Sequence, residues 1–308
     1  MYDQNRVKIS LIVNPFAGHG KKQAHKIDDA VSWLRSRAEK VEVEYTVRPG
    51  HATELASIAA ASGFDIVVAV GGDGTVNEVA QGLIGTATPM GILPMGSGNG
   101  LARELGISMD ILESAKILLN GDIQQIDVCK INGQRFLCTS GIGFDALVAD
   151  KMSKAATRGF WRYTQLTIKE SFTFKPFKIK MKVDDVLIEK PVFLVTFANA
   201  SQFGNNAYIA PTASMSDGLI DVVVVNPFNK IWLPVFGIGL FAGFIPKLRF
   251  VECYKAKRIE LEYAGTSIYH FDGEPGQLTV PALVDIVPQK LFVIKGNSVN
   301  KTKDHEQI

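Results

Sequence analysis

The chain has 308 residues, enough for one large domain or two of ordinary size. With 46% hydrophobic and 21% charged residues it has a globular balance, which excludes a disordered or collagen-like chain. Thirty-three basic residues against 31 acidic ones leave a net charge of +2, which argues against a dedicated nucleic-acid binder and makes any attraction for anions local.

Val7, Ile9, Leu11 and Val13 alternate along a strand that ends at Asn14-Pro15. Ala24, Ile27, Val31 and Leu34 follow at helical spacing, then Val41, Val43 and Tyr45 as a second strand. Residues 55–61 read as helix, and 66–70 form an unbroken apolar run of the kind buried on both faces. A Gly-rich turn, a helix over 76–83, a strand at 90–93, a second Gly-rich turn and a helix from Leu101 to Leu105 complete the pattern. Alternating strands and helices with short loops predict a doubly wound parallel sheet over residues 1–125. Beyond Asp127 the periodicity becomes strand-like. Ile179, Met181 and Val183 face Val186 and Ile188 across Asp184-Asp185 as a hairpin, and runs near 192–197, 219–225, 259–263, 267–271, 283–287 and 291–294 add strands. A strand-rich second domain over 126–297 and a frayed polar tail, 298–308, are expected.

Cys129, Cys138 and Cys253 are too few and too scattered for a disulfide framework, and no Cys-x-x-Cys pair points to zinc, so a reducing cytosol fits. The early apolar run, Ile9 to Val13, is too short for a secretory signal. The stretch 231–246 is broken by Pro234, Gly237, Gly239 and Gly243 and falls short of the roughly 20 residues of a spanning helix. The expectation is a soluble protein, or one that sits on a membrane surface.

The strongest local signal is Gly71-Gly72-Asp73-Gly74-Thr75-Val76-Asn77-Glu78, between a buried strand and a helix. Glycines bring bare N–H groups against an anion, and the following helix aims its positive end there. Asp73 would repel phosphate but could hold Mg²⁺, directly or through water. Thr75 and Glu78 match a capping box, so Glu78 reads as a cap before a catalyst. The second loop, Pro94 to Gly100, offers the Ser97 hydroxyl, while Asn99 either caps the next helix or reaches a ligand. Loops at the carboxyl ends of neighbouring parallel strands share one crevice, so the two together would wrap a polyphosphate. A third turn, Asn14 to Gly20 before Lys21-Lys22, lacks P-loop spacing, and Gly96 to Leu101 lacks the dinucleotide fingerprint.

These two loops closely resemble the diacylglycerol kinase catalytic-domain family, which includes bacterial soluble lipid kinases and sphingosine kinases. The resemblance continues through Asn14-Pro15, Gly141-Ile142-Gly143-Phe144-Asp145, Ser216-Asp217-Gly218-Leu219-Ile220-Asp221 and Asp272-Gly273-Glu274, in order along nearly the whole chain. It implies ATP-dependent phosphorylation of a lipid hydroxyl, with ATP in the cleft between the domains. Carried over by position, Thr46, Gly71, Gly72, Asp73, Gly74, Thr75, Val76, Asn77 and Ser97 would contact the nucleotide. Glu274 would accept the hydroxyl proton with Asp272 beside it, although those residues read alone suggest an exposed hairpin turn. Ser214 and Leu219 by their carbonyls and Asp217 by its carboxylate would hold a structural Mg²⁺, or the segment is a plain strand-entry turn. Asp127 would join a magnesium and water network or bind polar groups of the substrate. At Gly100 the loop is closer to the sphingosine-kinase version, so the resemblance does not name the lipid.

Residues 151–182 carry nine Lys or Arg against Glu170, interleaved with aromatics. That mixture suits an anionic bilayer interface or, equally, a solvated helix face. Residues 231–246, flanked by Lys230, Lys247 and Arg249, could wall acyl chains; a core helix is the alternative. The composite expectation is a cytoplasmic ATP- and Mg²⁺-dependent lipid kinase that works transiently at the inner membrane surface, with a homodimer left open. A kinase of a soluble metabolite such as NAD and a non-catalytic lipid- or nucleotide-binding module are the rivals.

Overall fold

The apolar run 66–70 is fully buried, as a central strand must be. It belongs to the first of two units into which the chain divides, Met1–Gln125 with Leu291–Ile308, and Ile126–Lys290. The computed structural model describes residues 6–17, 21–155 and 160–296. The tail 298–308 and Gly18, His19 and Gly20 of the third turn lie outside them.

In the first unit the elements run β1 (Lys8–Val13), α1 (Lys21–Arg35), β2 (Lys40–Tyr45), α2 (His51–Ala61), β3 (Ile66–Gly71), α3 (Asp73–Leu83), β4 (Met90–Pro94), α4 (Gly100–Glu104), α5 (Ile111–Asn120) and β5 (Asp122–Ile126). β18 (Leu291–Lys295) returns to this unit, and the sheet order is β2-β1-β3-β4-β18-β5. This differs from the expectation that 291–297 belongs with the second domain, because Val293 pairs in parallel with Met90 of β4. β1 pairs in parallel with both β2 and β3. The winding therefore reverses between β1 and β3, which is where an open sheet leaves a crevice beyond its carboxyl ends. Leu11, Val68, Val70, Leu93 and Ile294 pack with Leu34 and Leu118 in one apolar cluster.

The second unit contains β6 (Cys129–Ile131), β7 (Gln134–Phe136), β8 (Thr139–Gly143), α6 (Phe144–Ser153), α7 (Phe160–Thr173), β9 (Phe177–Val183) and β10 (Val186–Val192). It continues with β11 (Leu194–Ala198), β12 (Ile220–Val225), α8 (Leu233–Ala242), β13 (Val251–Ala256), β14 (Arg258–Ala264), β15 (Ile268–Phe271), β16 (Glu274–Gln277) and β17 (Ala282–Ile286). Two six-stranded sheets form, β10-β9-β14-β17-β6-β7 and β13-β12-β11-β8-β15-β16. Inward residues of both share one core, for example Met181, Leu261 and Val284 with Phe197 and Val222. That makes a β-sandwich. The far face of the second sheet is covered by helices through Phe144, Val148 and Phe236 against Phe193, Val223 and Val225.

Candidate functional site

In the first unit, Thr46, Asn14, Gly71 to Asn77 and Ser97 lie at or just beyond the carboxyl ends of the adjacent strands β2, β1, β3 and β4. The two glycine loops meet. A Cβ on Gly96 would stand 2.7 Å from the Gly72 Cα, and one on Gly98 would stand 2.7 Å from Asp73 Oδ2. Only residues without side chains permit that approach. Asp73 ties the loops: its Oδ2 accepts the Asn99 N–H at 2.9 Å and its Oδ1 the Gly100 N–H at 2.7 Å. The carboxylate thus acts first as a staple between loops, a role the sequence reading did not assign.

Asn99 neither caps α4 nor reaches outward. Its side chain accepts from the Gly96 N–H at 2.9 Å and donates to the Gly96 carbonyl at 2.8 Å, closing the loop on itself. Glu78 is a cap, but for another helix: its Oε2 accepts the Ala52 N–H of α2 at 3.2 Å. Thr75, buried, accepts from the Asn14 amide at 3.1 Å rather than capping α3. The expected capping box is therefore absent, because α3 begins at Asp73 and Thr75 lies inside its first turn. Gly72 at the helix start supplies no side-chain cap, so the first-turn N–H groups and the helix dipole are left for an anion. A Cβ on Gly74 would meet nothing within 4 Å, which leaves room above that turn. Val76 is buried and can contribute only backbone, Asn77 accepts from Gln81, and Ser97 is exposed. These features fit a nucleotide's phosphates.

In the second unit, Asp272 and Gly273 have φ of 47° and 85° and form a two-residue hairpin turn between β15 and β16. The Asp272 carboxylate accepts the N–H groups of Leu137, Cys138 and Thr139 at 2.7, 2.7 and 3.1 Å, clamping the hairpin to the start of β8. Burial pushes its carboxyl pKa up, and those three donors pull against the rise. Asp272 is a positioning residue. Glu274, the first residue of β16, is exposed. The motif Gly141 to Asp145 is explained by packing: a Cβ on Gly141 would collide with the Asp145 carboxylate. That carboxylate accepts the Thr196 hydroxyl at 2.9 Å and lies 3.3 Å from Nε2 of buried His270.

Asp127 is 2% exposed, and its carboxylate binds Lys290 and accepts the Gly218 N–H at 2.9 Å. Its carboxylate is occupied within the protein. The expected structural Mg²⁺ does not fit. Asp217 is already held by Lys255 Nζ at 3.1 Å, and its other oxygen accepts the Leu219 N–H at 3.1 Å.

The stretch 231–246 folds as α8 between two short 3-10 turns. It is apolar on every side, yet within α8 only Phe236 and Gly239 are buried. Ile238 is 61% and Phe241 53% exposed, beside Ile231 at 76% and Trp232 at 41%. Lys230 donates to the Phe172 carbonyl of α7, and the Arg249 guanidinium lies 5.8 Å from the Trp232 ring centre. Neither a core helix nor a spanning one is observed, since no helix among the described residues is long and apolar enough to cross a membrane.

Residues 8–131 match the diacylglycerol kinase catalytic domain, and 139–295 match the YegS C-terminal NAD kinase beta sandwich-like domain. A diacylglycerol kinase of Mycobacterium tuberculosis is 31% identical over 299 residues, covering 94% of this chain and 95% of that protein. The chain belongs to the diacylglycerol kinase and YegS-like lipid kinase family. A diacylglycerol kinase of Bacillus subtilis is 29% identical over 284 residues, 90% of this chain and 92% of that one. A probable YegS-like lipid kinase of Chromohalobacter salexigens is 27% identical over 259 residues, 82% and 83%. The crystal structure of a Bacillus anthracis diacylglycerol kinase superposes with a TM-score of 0.74 at 25% identity, covering 95% of this chain and 98% of that one. Within this lipid kinase fold, the sequence reading missed the partners that fix the site residues. Asn14, Lys255 and Lys290 find Thr75, Asp217 and Asp127 across 61, 38 and 163 positions, and no local pattern signals such pairs.

Proposed function

We propose that the protein is an ATP- and Mg²⁺-dependent kinase that phosphorylates the hydroxyl of a membrane lipid alcohol, a diacylglycerol, a sphingoid base or a relative, at the cytoplasmic face of a membrane. The observation that carries the reading is the contact of two glycine loops at the uncapped start of α3, in a chain of the lipid kinase family. The first-turn N–H groups of α3 and the exposed Ser97 hydroxyl would hold the phosphates. Mg²⁺ bound to the triphosphate would neutralise charge developing on the transferred phosphoryl group. Asp73 could hold that ion through water while keeping its two loop bonds. Glu274, exposed beside a rigid turn, would take the proton of the attacking hydroxyl.

Incubation with a total membrane lipid extract and labelled ATP, followed by mass spectrometry, is expected to yield one new phospholipid class. Label passing to NAD and to no lipid would overturn the reading in favour of a soluble-metabolite kinase. Turnover of neither would favour a non-catalytic module.

A helix that is apolar on all sides, half exposed and rimmed by Lys230, Lys247 and Arg249 suits an anionic bilayer surface. Ile238→Asp with Phe241→Asp is expected to abolish sedimentation with anionic vesicles and to lower the rate on vesicle substrate by about tenfold or more. The melting temperature should fall little, because both side chains are more than half exposed. Wild-type sedimentation by the double variant would remove α8 from the interface.

A further inference from the structure

We infer that in this chain the Lys255 ammonium neutralises the Asp217 carboxylate that a divalent ion at Ser214, Asp217 and Leu219 would need. The Lys255 ammonium is held as an ion would be. Asp217 Oδ2 lies at 3.1 Å, Asp221 Oδ2 at 3.2 Å and the Thr212 carbonyl oxygen at 3.5 Å.

Lys290 does the same for Asp127, whose other oxygen accepts the Gly218 N–H beside Asp217. The Asp127 N–H donates to the Met215 carbonyl at 2.6 Å, which fixes the turn from its other side. From there the link continues in protein atoms alone. Buried Asn199 donates through Nδ2 to the Asp127 carbonyl at 3.0 Å and to the Leu137 carbonyl at 2.6 Å. The Leu137 N–H donates to Asp272 Oδ2 at 2.7 Å, on the hairpin that carries Glu274. The turn at 212–221 and the hairpin at 272–273 are thus linked through hydrogen bonds between protein atoms.

The consequence is that residues 126–290 fold and hold this turn without a divalent cation. The inference is independent of the kinase reading, because its test uses neither nucleotide nor lipid. The full chain, free of nucleotide, is titrated with MgCl₂ by calorimetry and melted in Mg²⁺ and in EDTA. The expected result is no one-site isotherm and melting temperatures within about 1 °C. A specific ion at about a hundred times its Kd would lift the midpoint by about 5–11 °C. Lys255→Met, which keeps the stem and deletes the charge, is expected to melt lower in EDTA and to recover with Mg²⁺ in a 1:1 isotherm. One Mg²⁺ bound by the wild type and lost in Asp217→Asn overturns the inference, as does a folded Lys255→Met that ignores Mg²⁺. If Lys255→Met does not fold, the wild-type and Asp217→Asn titrations decide alone.

Discussion

Glu274→Gln lowers turnover by about 10²–10⁴-fold, with nucleotide affinity and melting temperature unchanged. Glutamine keeps the shape of the side chain and removes its ability to take a proton. The fold does not notice, because residue 274 is exposed and joins the sheet through backbone pairing with Phe271. Two residues earlier the opposite holds. Asp272→Asn places an amide NH₂ against donors that now share a carboxylate, the N–H groups of Leu137, Cys138 and Thr139. Hydrogen bonds to a charged acceptor contribute about 1.5–3 kcal/mol each, so this variant loses stability as well as rate. Steady-state kinetics with parallel melting curves separate the two. A Glu274→Gln enzyme near the wild-type rate would place the base elsewhere.

The two positions also show how far the sequence reaches. Asp-Gly between apolar runs is a hairpin signal by local stereochemistry, and a Gly-rich bend between a buried strand and a helix is an anion site by the same kind of argument. Both arguments depend on neighbours a few residues away; the hairpin was legible in this way, as were the parallel first sheet and the strand-rich second unit. The return of Leu291–Lys295 to the first sheet was not, because an alternating apolar strand carries no record of which edge it joins. Helix α5 was missed, although Asp110 caps it through the N–H groups of Leu112 and Glu113. Glu78 was recognised as a cap, but the N–H it caps, that of Ala52 in α2, lies 26 positions upstream. Asp73 illustrates the same limit at the site itself. Its type and setting advertised a metal or phosphate role, whereas its bonds are to backbone groups 26 and 27 positions away. Periodicity and turn chemistry are local quantities; hydrogen-bond partners are set by tertiary packing.

That staple sets the second large effect. Gly96→Ala is expected to lower nucleotide affinity by about 10²-fold. Its Cβ would stand 2.7 Å from the Gly72 Cα and 2.8 Å from Asn99 Oδ1, and the first of these is backbone that cannot rotate aside. The loops must part, and with them go the two charge-assisted bonds from Asn99 and Gly100 to Asp73. Losing about 1.5–3 kcal/mol of preorganisation at each bond corresponds to about tenfold to a hundredfold apiece, part of which relaxation recovers. Asp73→Asn should follow the same course: with one acceptor oxygen for two donors it weakens the loop as well as any metal contact, so its melting temperature falls too. Gly74→Ala is the contrast for stability, since its Cβ meets nothing within 4 Å and alanine favours a helix by about 0.5–1 kcal/mol. Its melting temperature should hold or rise. Nucleotide titrations and melting curves on the three variants test this. Wild-type nucleotide affinity in Gly96→Ala would mean that the approach of the two loops is not what forms the site.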